Sequence, residues 1–99
     1  MDALQIIAEP TRRQILRLIW DDELAAGEIA GHFESTFGAV SQHLKVLRDV
    51  GFVKVRREGT RRIYAANRDA LAPFREILES MWADQLQHLA DIIEAEADR

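Results

Sequence analysis

The segment from Thr36 to Val50 limits what this chain can become more than any other. Val40, Leu44, Leu47 and Val50 recur there at steps of four and three residues. That spacing lays apolar side chains in a narrow stripe along one side of a helix. Thr36 is a natural N-cap, and Gly51 stands where a left-handed C-cap is expected. Upstream, Ala25 to Phe33 reads as a shorter helix with Ile29, Ala30 and Phe33 inward, leaving Glu34-Ser35-Thr36 as a tight polar turn. The expectation is two helices joined by that turn, the second anchored along one side only.

The flanking segments supply the rest of a small core. Ala3 to Ala8 reads as a short helix that stops before Pro10, because a proline disfavours helical geometry in the residue ahead of it. Pro10 suits the first turn of a second helix, which carries Ile15, Leu16, Leu18 and Ile19 on one face and Arg12, Arg13 and Arg17 elsewhere on its surface. Asp21-Asp22-Glu23 reads as a polar turn. After Gly51 the period changes: Phe52 to Arg57 and Arg62 to Ala65 are short β-type runs joined through Glu58-Gly59-Thr60, a hairpin signal. From Asp69 to about Ala95 a single long helix is expected, with Pro73 tolerated in its first turn. The order α-α-α-α-β-β-α, mainly helical with a small β-hairpin, is that of a winged helix-turn-helix. With 99 residues there is material for one domain, 1–99, comprising a recognition helix (about 36–50), a wing (about 52–66) and a dimerisation helix (about 69–95).

The net charge of −4 argues at first against a polyanionic partner, but the average hides a strong asymmetry. Residues 41–68 carry eight Lys or Arg against two acids, whereas 1–40 and 69–99 carry net charges of −4 and −6. A basic middle between acidic ends is the pattern of a localised anion-binding face. On the fourth helix, Ser41, Gln42, Lys45, Arg48 and Asp49 lie off the apolar stripe. Ser and Gln suit base edges in a major groove, Gln especially adenine, while Lys45 and Arg48 suit phosphates. Thr36 and the free amides at the helix start could hold a phosphate. Phe37 could meet a thymine methyl or tuck back against the third helix. In the wing, Lys54, Arg56, Arg57, Arg61 and Arg62 alternate between faces; Arg61 and Arg62, nearest the tip, are expected to contact the DNA backbone or minor groove. An ordinary charged edge that discourages aggregation is the other reading of the same strands.

The residues that carry a family likeness are Glu9-Pro10-Thr11-Arg12-Arg13-Gln14-Ile15-Leu16, then Val40 through Arg48, Gly51-Phe52-Val53, and Arg56 through Tyr64. In this order the chain resembles the ArsR/SmtB family of bacterial and archaeal repressors, in a cysteine-free, non-metal-sensing branch. The resemblance implies a homodimer through the first and last helices, bound to an inverted-repeat operator in double-stranded DNA and released by an inducer. It also places Ser41, Gln42 and His43 among the DNA contacts; a structural histidine is the other reading of His43. The chain departs from the family in two places. It has no cysteine, so Glu23 to Glu28 cannot be a thiolate sensor, and Gly38 stands where the recognition helix often has proline.

The expected dimer residues are Leu4, Ile7, Leu71, Phe74, Leu78, Trp82, Leu86, Leu89 and Ile93. A helix of this length spans about 38 Å, more than so small a domain can cover. A pocket for a small apolar inducer around Met81 and Trp82 is the alternative. Asp84, His88 and Asp91 share a helical face, but their spacing does not reproduce the Asp-x-His motif of the family's zinc sensors, so no metal or other cofactor is expected. His32 is expected at or near the surface. Without a nucleophile–base pair or a glycine-rich phosphate loop, the chain does not read as an enzyme. It has no run of about 18 apolar residues and no signal-peptide pattern, so a cytoplasmic protein with no membrane partner is expected. Two rival readings stand beside the repressor. One is a metal-responsive repressor with ligands on the last helix, and the other a winged-helix interaction module that does not read DNA.

Overall fold

Asp2 and Gln5 open the first helix by exchanging bonds: the Gln5 N–H donates to Asp2 Oδ1 at 2.8 Å, and the Asp2 N–H to Gln5 Oε1 at 2.9 Å. The computed structural model describes residues 1–97, apart from the side chains of 85–90, 96 and 97. Its elements are α1 (Ala3–Ala8), α2 (Pro10–Leu18), β1 (Leu24–Ala25), α3 (Ala26–Ala30), α4 (Phe37–Asp49), β2 (Val53–Glu58), β3 (Arg61–Ala66), α5 (Arg68–Leu71), a 3-10 turn (Ala72–Phe74) and α6 (Arg75–Ala97). The fold is a winged helix-turn-helix: mainly helical, with a small antiparallel sheet.

The core gathers one face from each helix. Ile6 and Ile7 of α1, Ile15 and Leu16 of α2, Ile29 of α3, and Val40, Leu44 and Leu47 of α4 are buried together with Leu71 and Leu78. Two edge-to-face aromatic pairs close its sides, Trp20–Trp82 with centroids 5.4 Å apart and Phe52–Phe74 at 5.9 Å. The apolar stripe of α4 ends at Leu47, because Val50 is the C-cap residue and lies exposed.

Four features differ from the sequence expectation. Leu24–Ala25 forms a strand, giving a sheet of order β1-β3-β2, with Leu24 opposite Tyr64 and Ala25 opposite Ile63. Two residues are too few for an alternating signal, so this strand has no signature in the sequence. The expected single last helix is divided around Pro73, which lacks the N–H that would continue the helical ladder, so the chain passes through a 3-10 turn into α6. Arg12 is not a surface residue: it is only 8% exposed. Its Nε donates to Ile6 O at 2.7 Å and its Nη2 to Gln5 O, while Arg13 Nη1 donates to Ile7 O and Ala8 O. The two guanidiniums thereby satisfy the last carbonyls of α1, which no helix of six residues can satisfy alone.

The fourth correction concerns the expected dimer residues. Ile7, Leu71, Leu78 and Trp82 are buried in the chain's own core, and Phe74 is half-buried against Phe52. A helical stripe marks an apolar side, and here the proximal half of that side is covered from within. Leu4 (52% exposed) and Ile93 (65%) do lie open, joined by Ile77 and Ile92. The side chains of Leu86 and Leu89 lie outside the described residues.

Gly51 closes α4 with φ 82°: its N–H donates to Arg48 O at 3.0 Å, and the Phe52 N–H to Leu47 O at 2.9 Å. This is the Schellman arrangement, which strongly favours glycine. Gly51→Ala is therefore expected to destabilise the protein by about 1 kcal/mol. Gly38→Ala, at a helical site where the added carbon meets nothing within 4 Å beyond its chain neighbours and the helix's own backbone, is expected to stabilise by roughly 0.5 kcal/mol. Urea unfolding midpoints of the two variants check the opposite signs.

Candidate nucleic-acid interface

The site begins with how α4 is held. Its start is fixed by Thr36, whose Oγ1 accepts from the Ala39 N–H at 3.1 Å. The hydroxyl proton remains free to donate outward. Buried Val40, Leu44 and Leu47 fasten one side, so Ser41, Gln42, Lys45 and Arg48 are left exposed. Lys45 Nζ pairs with Asp49 Oδ2 at 3.1 Å, a contact across one helical turn that water and salt weaken. Arg48 has no acidic partner among the described residues. Phe37 is 58% exposed and does not tuck against α3.

Glu9, Arg12 and His43 form a cluster behind the helix. Arg12 Nη1 lies 3.3 Å from His43 Nδ1, and Glu9 Oε2 lies 3.7 Å from the same nitrogen. A guanidinium only donates, so Nδ1 accepts, and the neutral ring then carries its proton on Nε2. His43 is half-buried, bonded to a side chain rather than to backbone. Burial alone would raise the Glu9 carboxyl, but the N–H groups of Arg12 and Thr11, the His43 ring when it is protonated, and the charge of Arg12 together hold it below its ordinary value of 4.5.

The wing sorts its cations by strand parity. On one face, Arg56 Nε bonds Glu23 at 2.8 Å and its Nη1 bonds Glu58 at 2.8 Å; these hydrogen bonds raise the Arg56 pKa. Arg61 on that face bonds Glu28 at 2.8 Å, and the same Glu28 oxygen accepts the Ala25 N–H. On the other face Arg57 and Arg62 stand directly opposite each other, with no acidic partner among the described residues. Like charges in that position repel, and an anion placed between them relieves the repulsion. Gly59 turns the hairpin with φ 64°, a conformation that suits glycine at the first loop position.

Helix and wing meet over two adjoining concavities. The smaller, about 150 Å³, is lined by Ser41, Gln42, Lys45 and Arg48 with Arg62 and Tyr64. The wider, about 640 Å³, adds Phe37, Thr60, Arg61 and the start of α3. Most of the expected contact residues are thus brought to one face. Arg57 extends that face along the wing, Thr36 sits at the helix start, and His43 is turned toward Arg12. Tyr64 and Glu28 were not expected there. Tyr64 reads in the sequence as an ordinary strand residue, and Glu28 as a solvated helix acid.

A family model described as bacterial regulatory protein, arsR family, matches residues 9–55. The HTH-type transcriptional regulator Rv2034 of Mycobacterium tuberculosis is 40% identical over 96 residues, covering 97% of this chain and 90% of that protein. The chain belongs to the ArsR family. The transcriptional repressor SdpR of Bacillus subtilis is 33% identical over 71% of this chain and 78% of its own length. Among solved structures, HlyU from Vibrio cholerae superposes with a TM-score of 0.71 at 32% identity, over 81% of this chain and 87% of that one. Members of the ArsR family are DNA-binding transcription regulators, not enzymes, so DNA is a partner of this chain.

The metal candidates are not gathered into a site among the described residues, where no group of three or more His, Cys, Asp or Glu could hold an ion. Asp84 and Asp91 are exposed, and the His88 side chain lies outside the described residues. No helix among the described residues is long and apolar enough to cross a membrane.

The depressed Glu9 carboxyl has a consequence for stability. A group whose folded pKa lies below its unfolded value contributes stability above the unfolded value and loses it as pH falls through the folded one. Glu9→Gln is therefore expected to be less stable than the parent at about pH 6, with the gap closing toward about pH 3. Urea midpoints at both pH values measure it, and a gap that stays constant contradicts the role given to Glu9.

Proposed function

We propose that this ArsR-family member is a sequence-specific transcriptional repressor that works as one domain per protomer and binds an inverted-repeat operator as a homodimer. The observation that carries this reading is the small concavity where Ser41, Gln42, Lys45 and Arg48 of α4 face Arg62 of the wing. Hydrogen-bonding side chains there stand beside cations, the combination needed to read base edges while holding phosphates. In this reading α4 enters the major groove, Gln42 contacts adenine, and Ser41 assists it. Arg48, Lys45, Arg57 and Arg62 take phosphates, and Thr36 adds its hydroxyl at the helix start. Arg61 joins them once phosphate displaces Glu28. His43 acts through its Nε2 proton or by holding α4 in place.

A second copy is supported by α6. At about 1.5 Å per residue its 23 residues extend roughly 34 Å, in a molecule 29 by 24 Å across its shorter axes. Ile77, Ile92 and Ile93 are exposed along it, and Leu4 on α1. An inverted repeat requires the pairing of these surfaces to set two α4 helices about one DNA turn apart, roughly 34 Å. An inducer that alters this pairing would relieve repression.

Fluorescence anisotropy on duplex DNA from upstream of the chain's own gene, over a salt series, tests the reading. Affinity is expected to fall steeply with salt. Gln42→Ala should lose about 1–3 kcal/mol on the preferred sequence and little on others. Arg62→Ala should weaken all sequences alike and reduce the salt slope by about 1. Binding untouched by both substitutions would contradict the assignment of this face.

A further inference from the structure

Between the end of α2, the turn that follows it, α5 and α6 lies a groove of about 400 Å³ lined by Arg17, Trp20, Asp21, Arg68, Arg75, Glu79, Trp82 and Ala83. We propose that this groove is a binding site for a small aromatic carboxylate. The inference does not rest on the repressor reading, because it concerns a different surface and a different ligand.

Three observations carry it. First, the groove's aromatic walls are fixed in place. The Trp82 Nε1–H donates to Arg13 O at 3.1 Å, the Trp20 carbonyl accepts from Arg68 Nε at 2.9 Å, and the two indoles meet at an interplanar angle of 68°. A wall that is already ordered loses little conformational freedom on binding. The volume falls in the range of small-ligand sites and suits a one- or two-ring compound.

Second, the guanidiniums lie against those walls. Arg17 Cζ is 5.8 Å from the Trp82 ring centroid, and Arg68 Cζ is 5.5 Å from that of Trp20. Arg68 spends its Nε and Nη2 donors on Trp20 O and Asp21, but Arg17 makes no side-chain hydrogen bond among the described residues, so its N–H edge is available to a carboxylate in two parallel hydrogen bonds.

Third, the charges do not cancel. Arg68 is engaged with Asp21, and Arg75 with Glu79, both at under 3 Å. Arg17 makes no ion pair among the described residues. Three arginines against two carboxylates leave one positive charge beside two indoles. The indoles are themselves buried, so an aromatic ring meets only the edges that they show to the groove, with its carboxylate on Arg17. A neutral aromatic would leave Arg17 unmatched, and a small aliphatic acid would leave the indole corner empty.

Both tryptophans of the chain line this groove, so intrinsic fluorescence reports on it alone. The test titrates the whole protein, without DNA, with benzoate, benzamide and acetate. Benzoate is expected to give a saturable change in tryptophan emission and to move both indole N–H signals in a 15N spectrum. Benzamide and acetate should bind at least about tenfold more weakly, as should benzoate to Arg17→Gln. Arg17 is exposed, so the substitution leaves the core intact, and Arg17→Lys provides a second variant that keeps the charge but not the planar fork. It too should bind benzoate more weakly than the parent. The proposal is overturned by the absence of a saturable response, by equal responses to benzoate and benzamide, or by full benzoate affinity in the Arg17 variants.

Discussion

A buried guanidinium, that of Arg12, joins the parts of this molecule that must keep a fixed relation. Burying a charge is costly unless its donors are satisfied. Here they are taken up by Gln5 O and Ile6 O at the end of α1, by Met1 Sδ, and by His43 Nδ1 on α4. Glu9, whose carboxylate caps α2, stands beside the same histidine. One side chain on α2 thus sets where α1 ends and where the back of the recognition helix rests. Because α1 carries exposed Leu4 and α4 carries the residues proposed to read bases, the two surfaces on which the proposed repressor depends meet at this cluster. Removing Arg12 would leave the Gln5 and Ile6 carbonyls at the end of α1 without this donor, a cost felt by the whole fold.

An acidic protein can bind a polyanion when its cations are placed rather than merely numerous. The wing shows how this is done. Alternation along β2 and β3 sends Arg56 and Arg61 toward Glu23 and Glu28, which neutralise them and tie the wing to β1 and α3. The same alternation leaves Arg57 and Arg62 facing each other without an acid among the described residues. The Arg57–Arg62 face therefore keeps a concentrated positive potential, and the Arg56–Arg61 face supplies rigidity. Arg48, near the end of α4, lines the same concavity as Arg62 and adds to this potential.

The elements legible in the sequence were those with marked ends. Thr36 and Gly51 bracket α4 to within a residue because each has a local backbone role that few other side chains fill. The hairpin was legible from its change of period and from Gly59. What escaped was decided by neighbours that the sequence does not name. Leu24–Ala25 becomes a strand only because β3 passes beside it. Arg12 turns inward because α1 is too short to satisfy its own carbonyls. The apolar stripe of Leu71, Leu78 and Trp82 was visible, but helical spacing reveals an apolar side and not what covers it; the core of the same chain does. Of the expected contact residues, Ser41, Gln42, Lys45, Arg48 and Arg62 line one concavity. The diversion of Arg61 to Glu28 depended on a contact 33 residues away in the chain.

The most direct test of the central claim, that the face shared by α4 and the wing holds DNA, is a map of backbone amide shifts in a 15N-labelled sample titrated with duplex DNA from upstream of its gene. The account predicts shifts concentrated over residues 36–48 and 57–62, with the Trp20 and Trp82 indole signals unmoved. Shifts centred instead on α2 and α6, or spread evenly over both faces, would contradict it.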